Sequence, residues 1–249
     1  MLKKRIIPRL LSHNYSNQLV ASTSLNYYRM RIIGSLKSQL DILESNFVDE
    51  ICVINLDHFD GLDFSLYTEI FSGLCTPISF GGGINDLKKA HQAINIGADK
   101  LMIGFSNQKL ILYEQIANTL GSQSLSISLD YSESDSGIKL KDLPDSITAK
   151  QLIPILKTLE NLGCGEIVLN CMNRDGKRSG LHDLLISSVK DKISVPLIAA
   201  SGAGTPIHFA DTFGAGADGV IAGTYFTLKD QTPIQLRNSV YNLGFDLKH

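Results

Sequence analysis

The sequence predicts an α/β fold, a single (β/α)8 barrel spanning residues 1–249 and built from two similar half-barrels, on three observations. Eight short runs rich in β-branched residues alternate with longer amphipathic stretches, which is the pattern of parallel strands joined by helical crossovers. Several runs, such as 51–54 and 193–200, show no polar alternation, as expected of strands covered on both faces. The second half of the chain repeats part of the first without a gap. Pro77-Ile-Ser-Phe-Gly-Gly-Gly-Ile aligns on Pro196-Leu-Ile-Ala-Ala-Ser-Gly-Ala, Gly97-Ala98-Asp99 on Gly216-Ala217-Asp218 and Gly104 on Gly223, all at an offset of 119 residues. A barrel of two half-barrels accounts for that offset. A doubly wound open sheet is the structural alternative, and it would not require the repeat.

In chain order the strands are expected near 5–11, 50–56, 77–81, 100–104, 124–130, 165–171, 196–200 and 218–223. Helices are expected over 86–96, 108–120, 149–162 and 181–190, where apolar residues recur at helical spacing. The polar, helix-poor stretch 131–146 reads as a loop insert.

A hydrophobic fraction of 43% and a charged fraction of 19% suit a globular protein with a sizeable core. A net charge of −2 carries no clustered basic excess, so no nucleic-acid footprint is expected. Residues 1–9 lack the apolar stretch of a signal peptide. No apolar run approaches the ~18 residues of a membrane span, so a cytoplasmic protein is expected. Cys52, Cys75, Cys164 and Cys171 form no CxxC pair and have no histidine cluster beside them in sequence; they read as reduced thiols, with no metal and no cofactor expected.

Chemistry in such barrels gathers at the C-terminal ends of the strands. Gly82 and Gly83 end the third barrel strand, Gly202 and Ala203 the seventh, and Gly223 and Thr224 the eighth. Small residues there let backbone N–H groups approach an anion, so two phosphate sites half a barrel apart are expected; tight turns alone would also explain the glycines. The seventh–eighth strand end should hold an anion more firmly, because Gly104-Phe105 brings no side-chain donor to the other. Asp130 ends the fifth strand and is the candidate general acid or base, with a structural cap as the bland reading. Under the repeat its mate at the end of strand one is Leu11. Asp175 and Gly176 read as a turn able to meet a ligand hydroxyl. His58, His182 and His208 are scattered and read as surface or packing residues, and 139–150 as a solvated charged segment. At the opposite face Arg5, Glu50, Lys100 and Glu166 sit where four strands begin. Two charges of each sign can form either a salt-bridged plug or something more.

Taken together, Lys4-Arg5-Ile6-Ile7, Gly81-Gly82-Gly83-Ile84, Gly97-Ala98-Asp99-Lys100, Gly121-Ser122-Gln123-Ser124, Gly165-Glu166-Ile167, Asn173-Arg174-Asp175-Gly176 and Ser179-Gly180 resemble, in order and across nearly the whole chain, the cyclase subunit of imidazole glycerol phosphate synthase. That family is a (β/α)8 barrel that pairs with a glutaminase, passes its ammonia through the barrel and makes imidazole glycerol phosphate for histidine synthesis, a lyase reaction. The resemblance implies that Asp130 matches one of two catalytic acids and that Leu11 stands where the other belongs. It also places Asn55 at an aspartate position, Gly104-Phe105 at a phosphate-binding Asn-Thr, Ala200-Ser201-Gly202 at a Ser-Gly-Gly, and no counterpart of the first-loop lysine in 13–22.

The other face departs less. Arg5, Glu50, Lys100 and Glu166 match the family's ammonia gate and Asp99 its glutaminase contact. A kept gate with an altered catalytic face, and the opening Ile7-Pro8-Arg9-Leu10-Leu11, resemble a side branch of the family that serves surface-polysaccharide synthesis. There, with a glutaminase, a cyclase-like barrel supplies ammonia to an ATP-dependent enzyme that converts a sugar's N-acetyl group to an acetamidino group. The expected function is therefore an ammonia-conducting, cyclase-like subunit of a glutamine amidotransferase. The expected partners are a glutaminase, such a sugar amidotransferase and a phosphorylated small molecule. Two alternatives stand beside it, a working cyclase of histidine synthesis and a scaffold that activates a glutaminase without conducting anything.

Overall fold

The computed structural model describes residues 3–13, 18–21, 31–56, 64–134, 137–228 and 232–247. In chain order they form β1 (Arg5–His13), β2 (Gln18–Ala21), β3 (Arg31–Ser35), α1 (Leu36–Ser45), β4 (Ile51–Asn55), α2 (Phe64–Phe71), β5 (Ile78–Gly81), α3 (Leu87–Asn95), β6 (Lys100–Gly104), α4 (Leu110–Leu120), β7 (Leu125–Ser134), β8 (Gly137–Leu140), α5 (Ala149–Asn161), β9 (Glu166–Cys171), α6 (Asp183–Val189), β10 (Leu197–Ala200), α7 (Pro206–Gly214), β11 (Gly219–Ala222), α8 (Thr224–Thr227) and α9 (Pro233–Asn242). Strands β1, β4, β5, β6, β7, β9, β10 and β11 pair in that order, all parallel, and β11 pairs back onto β1 with Arg5 opposite Gly219. The sheet is a closed eight-stranded barrel ringed by helices, as the alternation of runs predicts.

Alternate residues of each strand face opposite ways. Outward side chains such as Ile6, Leu10, Val53, Phe80, Leu101, Ile127 and Leu169 pack under the helices. Inward ones, Ile7, Cys52, Met102, Val168, Ile198, Ala200 and Ile221, form a separate apolar cluster inside the barrel. Two apolar faces per strand explain why the runs lack polar alternation.

The repeat is visible bond by bond. Ile78 donates its backbone N–H to Asp99 Oδ2 at 2.8 Å, and Leu197, 119 residues on, donates to Asp218 Oδ2 at 2.9 Å. Gly97 and Gly216 share a left-handed φ, 103° and 108°, at the turn before each of those aspartates. At the next matched turn Gly82 has φ 94° and its mate is a non-glycine, Ser201, at φ 72°. A side chain there costs about 1–2 kcal/mol.

One expectation is corrected. Residues 131–146 do not form a plain loop: β7 runs on to Ser134 and pairs antiparallel with β8, Tyr131 opposite Leu140. The polar composition hides Tyr131, Ile138 and Leu140, all buried in the core. A second antiparallel pair, β2 with β3, extends β1. Among the described residues no helix is long and apolar enough to cross a membrane.

Candidate functional site

The inward side chains of the barrel stack in three levels, because every second residue of a strand points to the axis. At the N-terminal ends of the strands Arg5 Nη1 donates to Glu50 Oε2 at 2.7 Å and Nη2 to Glu166 Oε2 at 2.6 Å. Lys100 Nζ donates to the same two residues, Glu50 Oε2 at 2.8 Å and Glu166 Oε1 at 3.1 Å. Each base thus holds both acids and each acid both bases, in a closed ring; Ser79 Oγ adds a donor to Glu50. Burial works against the charge of Arg5, but the carboxylates of Glu166 and Glu50 outweigh it and raise its pKa. Burial likewise opposes the Glu166 carboxylate, and Arg5 and Lys100 overcome it, so its pKa falls below the usual range. Outside the ring a surface hollow of about 450 Å³ is lined by Lys3, Gln123, Gly165 and Pro196 among others. Asp99 is exposed and its Oδ2 accepts from the backbone N–H of Ile78 at the start of β5.

The middle level is the apolar cluster of Ile7, Cys52, Met102, Val168, Ile198 and Ile221. Cys52 Sγ lies 3.7 Å from Met102 Sδ, and burial pushes the thiol up to about 12.

At the C-terminal ends of the strands lies a cavity of about 380 Å³. Leu11 and Asp130 line it together, with Gly82, Gly83 and Gly104 on one side and Arg9, Ser128 and Asn170 below. Asp130 Oδ1 accepts from Asn170 Nδ2 at 2.8 Å and from Ser128 Oγ at 3.2 Å. Asn170 Oδ1 accepts from Ser201 Oγ at 2.7 Å and from Arg9 Nη1 at 3.4 Å. Asp175 Oδ1 accepts from Arg9 Nη2 at 2.5 Å and from Ser201 Oγ at 2.9 Å. Ser201 has a single proton, so it serves one of its two oxygens at a time. This network is the local return for its left-handed backbone.

The predicted residues therefore divide into groups. Arg5, Glu50, Lys100 and Glu166 meet in one ring; Leu11, Asp130, Gly82 and Gly83 share one cavity. Asp175 is buried and holds Arg9, while Gly176 turns the chain after it at φ 71°. Gly202 and Ala203 lie outside the cavity lining, under the 176–180 segment: a Cβ on Gly202 would stand 2.2 Å from Gly180 O. Thr224 opens α8, and its carbonyl accepts from Arg178 Nη2 at 3.0 Å. Gly223, just before it, leaves 3.7 Å between its Cβ position and Arg9 Nε. The third–fourth strand end is not without side-chain donors, because Lys109 and Lys141 line its cavity wall. Burial lowers the pKa of Lys109, with Asp142 pulling the other way and Lys141 adding to the fall.

A family model described as "Histidine biosynthesis protein" matches residues 23–232. The chain belongs to that family, in its HisF-like group. It is 33% identical over 256 residues to imidazole glycerol phosphate synthase subunit HisF of Bacteroides thetaiotaomicron, covering 100% of both chains. It is 32% identical over 260 residues, 100% of this chain and 99% of the other, to a Prochlorococcus marinus protein provisionally named as subunit hisF2 of the same enzyme. A Campylobacter jejuni protein given the same provisional name is 27% identical over 251 residues, 100% of this chain and 99% of its own.

Beyond the barrel mouth, the HisF-like chain brings Glu133, Cys171 and His182 within 4.8 Å of one another, close enough to share a cation. Arg174 already fills that place, pairing Glu133 through Nε and through Nη2 at 3.1 Å. Burial pushes the Cys171 thiol up to about 11 and lowers the pKa of His182. The group therefore works as a latch from the β7–β8 hairpin to the segment after β9. His208 accepts from Gly204 N at 3.1 Å, and His58 lies outside the described residues.

Sequence reasoning gave no individual role to Arg9, Ser128, Asn170, Ser201, Lys109, Lys141 and Arg178, although Arg9 and Ser201 stood within motifs and Lys141 within the segment 139–150 read as solvated. For the first three a signal was present. Counting upward by twos from Arg5 and from Glu166 reaches Arg9 and Asn170, and counting down from Asp130 reaches Ser128.

Proposed function

We propose that this HisF-like barrel is the ammonia-conducting subunit of a glutamine amidotransferase. It pairs with a glutaminase at the face that carries the charged ring and Asp99, and it serves the ATP-dependent amidination of an N-acetyl sugar for a surface polysaccharide. The observation that carries this reading is the contrast between the two ends of one barrel. At the N-terminal end Arg5, Glu50, Lys100 and Glu166 close a complete ring. At the other end Asp130 shares its cavity with Leu11, an aliphatic side chain that transfers no proton. The mutual pairing of the ring also suits a structural plug, since losing one member would leave a buried ion unpaired at a cost of several kcal/mol, so the coupling experiment below separates the two.

The full names of the relatives, which are subunits of imidazole glycerol phosphate synthase, support the pairing with a glutaminase. The cavity at the strand ends takes a phosphorylated small molecule. Its anion site is the backbone at Gly82 and Gly83, which line it; Gly202, Ala203, Gly223 and Thr224, outside that lining, are a second anion site beside it, and Asp175, followed by Gly176, holds Arg9 of the cavity wall.

Lys100→Ala tests the reading in the assembled complex. Glutamine hydrolysis is expected to continue while less of its nitrogen reaches the acceptor, and added ammonium salt is expected to support the reaction undiminished. A folded Lys100→Ala protein that transfers glutamine nitrogen as efficiently as the parent would make the ring a plug and the barrel a scaffold.

A further inference from the structure

The inward positions of β7 differ from those of its neighbours. Leu125, Ile127 and Leu129 point out into the core under the helices, so Ser126, Ser128 and Asp130 point to the barrel axis. Ser128 and Asp130 line the upper cavity. Ser126 lies one step lower, in register with Met102 of β6 and Glu166 of β9. Glu166 belongs to the charged ring and Met102 to the apolar cluster. Ser126 therefore stands where the ring gives way to the apolar level.

The rest of the wall at this level is Ile7, Cys52, Met102, Val168, Ile198 and Ile221. On β4, β6 and β9 the inward series starts at a ring residue and then meets Cys52, Met102 or Val168. Among the described residues, β7 alone carries Ser, Ser and Asp at three successive inward positions. Ser128 donates its proton to Asp130 Oδ1 at 3.2 Å. Ser126 is 0% exposed, and its Oγ has no hydrogen-bond partner among the described residues. A buried hydroxyl left unpaired destabilises a fold, and alanine in this apolar wall would avoid that. The upper cavity reaches down to this level, because Met102, Val168 and Ile221 line it.

We propose that Ser126 is a binding station for one small neutral molecule that both donates and accepts hydrogen bonds, ammonia, and that β7 leads it from the ring to the cavity over Ser126, Ser128 and Asp130. The proposal deepens the conduction reading above and rests on it. Successive stations lie about 6.6 Å apart along the strand, close to the span of two hydrogen bonds meeting on one small molecule. Ser126 Oγ can donate to the nitrogen lone pair, while the N–H groups turn to Ser128 Oγ and then to the Asp130 carboxylate, which accepts. A cation gains no such passage, since the apolar side chains around Ser126 offer it nothing in place of water.

The test has two arms. In a crystal structure of the full chain, one ordered solvent molecule is expected within about 3.2 Å of Ser126 Oγ, and Ser126→Ala should lose it. A parent structure with no such molecule at Ser126 overturns the station. The second arm uses the assembled complex and glutamine labelled at its amide nitrogen. Ser126→Ala is expected to lower the share of labelled nitrogen reaching the acceptor by about three- to tenfold, the weight of one net hydrogen bond. Glutamine hydrolysis and the reaction supported by added ammonium salt should match the parent, and Ser126→Thr, which keeps the hydroxyl, should restore transfer. If Lys100→Ala uncouples the complex and Ser126→Ala transfers like the parent, conduction stands and the β7 track is overturned. If neither variant uncouples it, conduction falls and the track falls with it.

Discussion

Leu11 and Asp130 line one cavity from opposite walls of the barrel, on strands β1 and β7, at positions that the internal repeat makes equivalent. One of two matched positions carries a group able to exchange protons, and its mate carries none. Asp130 is held on Oδ1 by Asn170 and Ser128, and among the described residues no second carboxylate lines the cavity with it.

The chain is therefore expected not to restore growth without histidine to a strain lacking the cyclase. Loss of one proton-transfer group removes about 10²–10⁴-fold in rate. Growth on minimal medium at a rate near that of the wild-type gene would show that some other group replaces the acid.

The lowered pKa of Glu166 sets a pH window for the ring. Because the folded-state value lies below the ordinary 4.5, the carboxylate's contribution to stability is fully present above that pH. It is lost as pH falls through the folded value. Thermal unfolding followed from neutral pH to about pH 3 should show a shallower decline in Glu166→Gln than in the parent over the acid limb. Parallel curves below pH 4.5 would mean that the carboxylate carries no such linkage.

Gly82 and Gly104 both border the cavity but differ in what a methyl group would meet. At Gly82 φ is +94° and a Cβ would stand 1.9 Å from Asn55 O, whereas at Gly104 nothing lies within 4 Å. Gly82→Ala is expected to destabilise by about 2–4 kcal/mol, from overpacking and the left-handed backbone together. Gly104→Ala should stay within about 0.5 kcal/mol of the parent. Denaturant midpoints that fell equally in the two variants would contradict the geometry.

Lys109 and Lys141 supply the donors that Gly104-Phe105 lacks. Titration of inorganic phosphate into Lys109→Ala/Lys141→Ala protein is expected to show affinity reduced by about tenfold, the equivalent of roughly 1.4 kcal/mol. Unchanged affinity would place the anion at the other end, near Gly202 and Thr224.

The alternation of runs, the repeat and the four charges at strand starts were legible in the sequence because they are local or periodic. A strand's period of two and a helix's of 3.6 are written into neighbouring residues. A half-barrel repeat shows as a constant offset. The hairpin over β7 and β8 was not legible, since its three buried apolar side chains are diluted by polar neighbours and only the packed core tells which of them turn inward.

By itself the sequence determined the barrel, the order of its strands, the family and the identity of the residues at each strand end, Leu11 opposite Asp130 included. Tertiary structure alone decided which of those residues work together. Closure of β11 onto β1 brings Arg5, Glu50, Lys100 and Glu166, drawn from four separate segments, within 2.6–3.1 Å contacts of one another. It also brings Arg9 against Asp175, 166 residues away, and sets Lys109 and Lys141 at one wall of the cavity. Such contacts depend on how far round the barrel each strand lies and how high each side chain sits. Neither quantity is encoded in any short window of the chain.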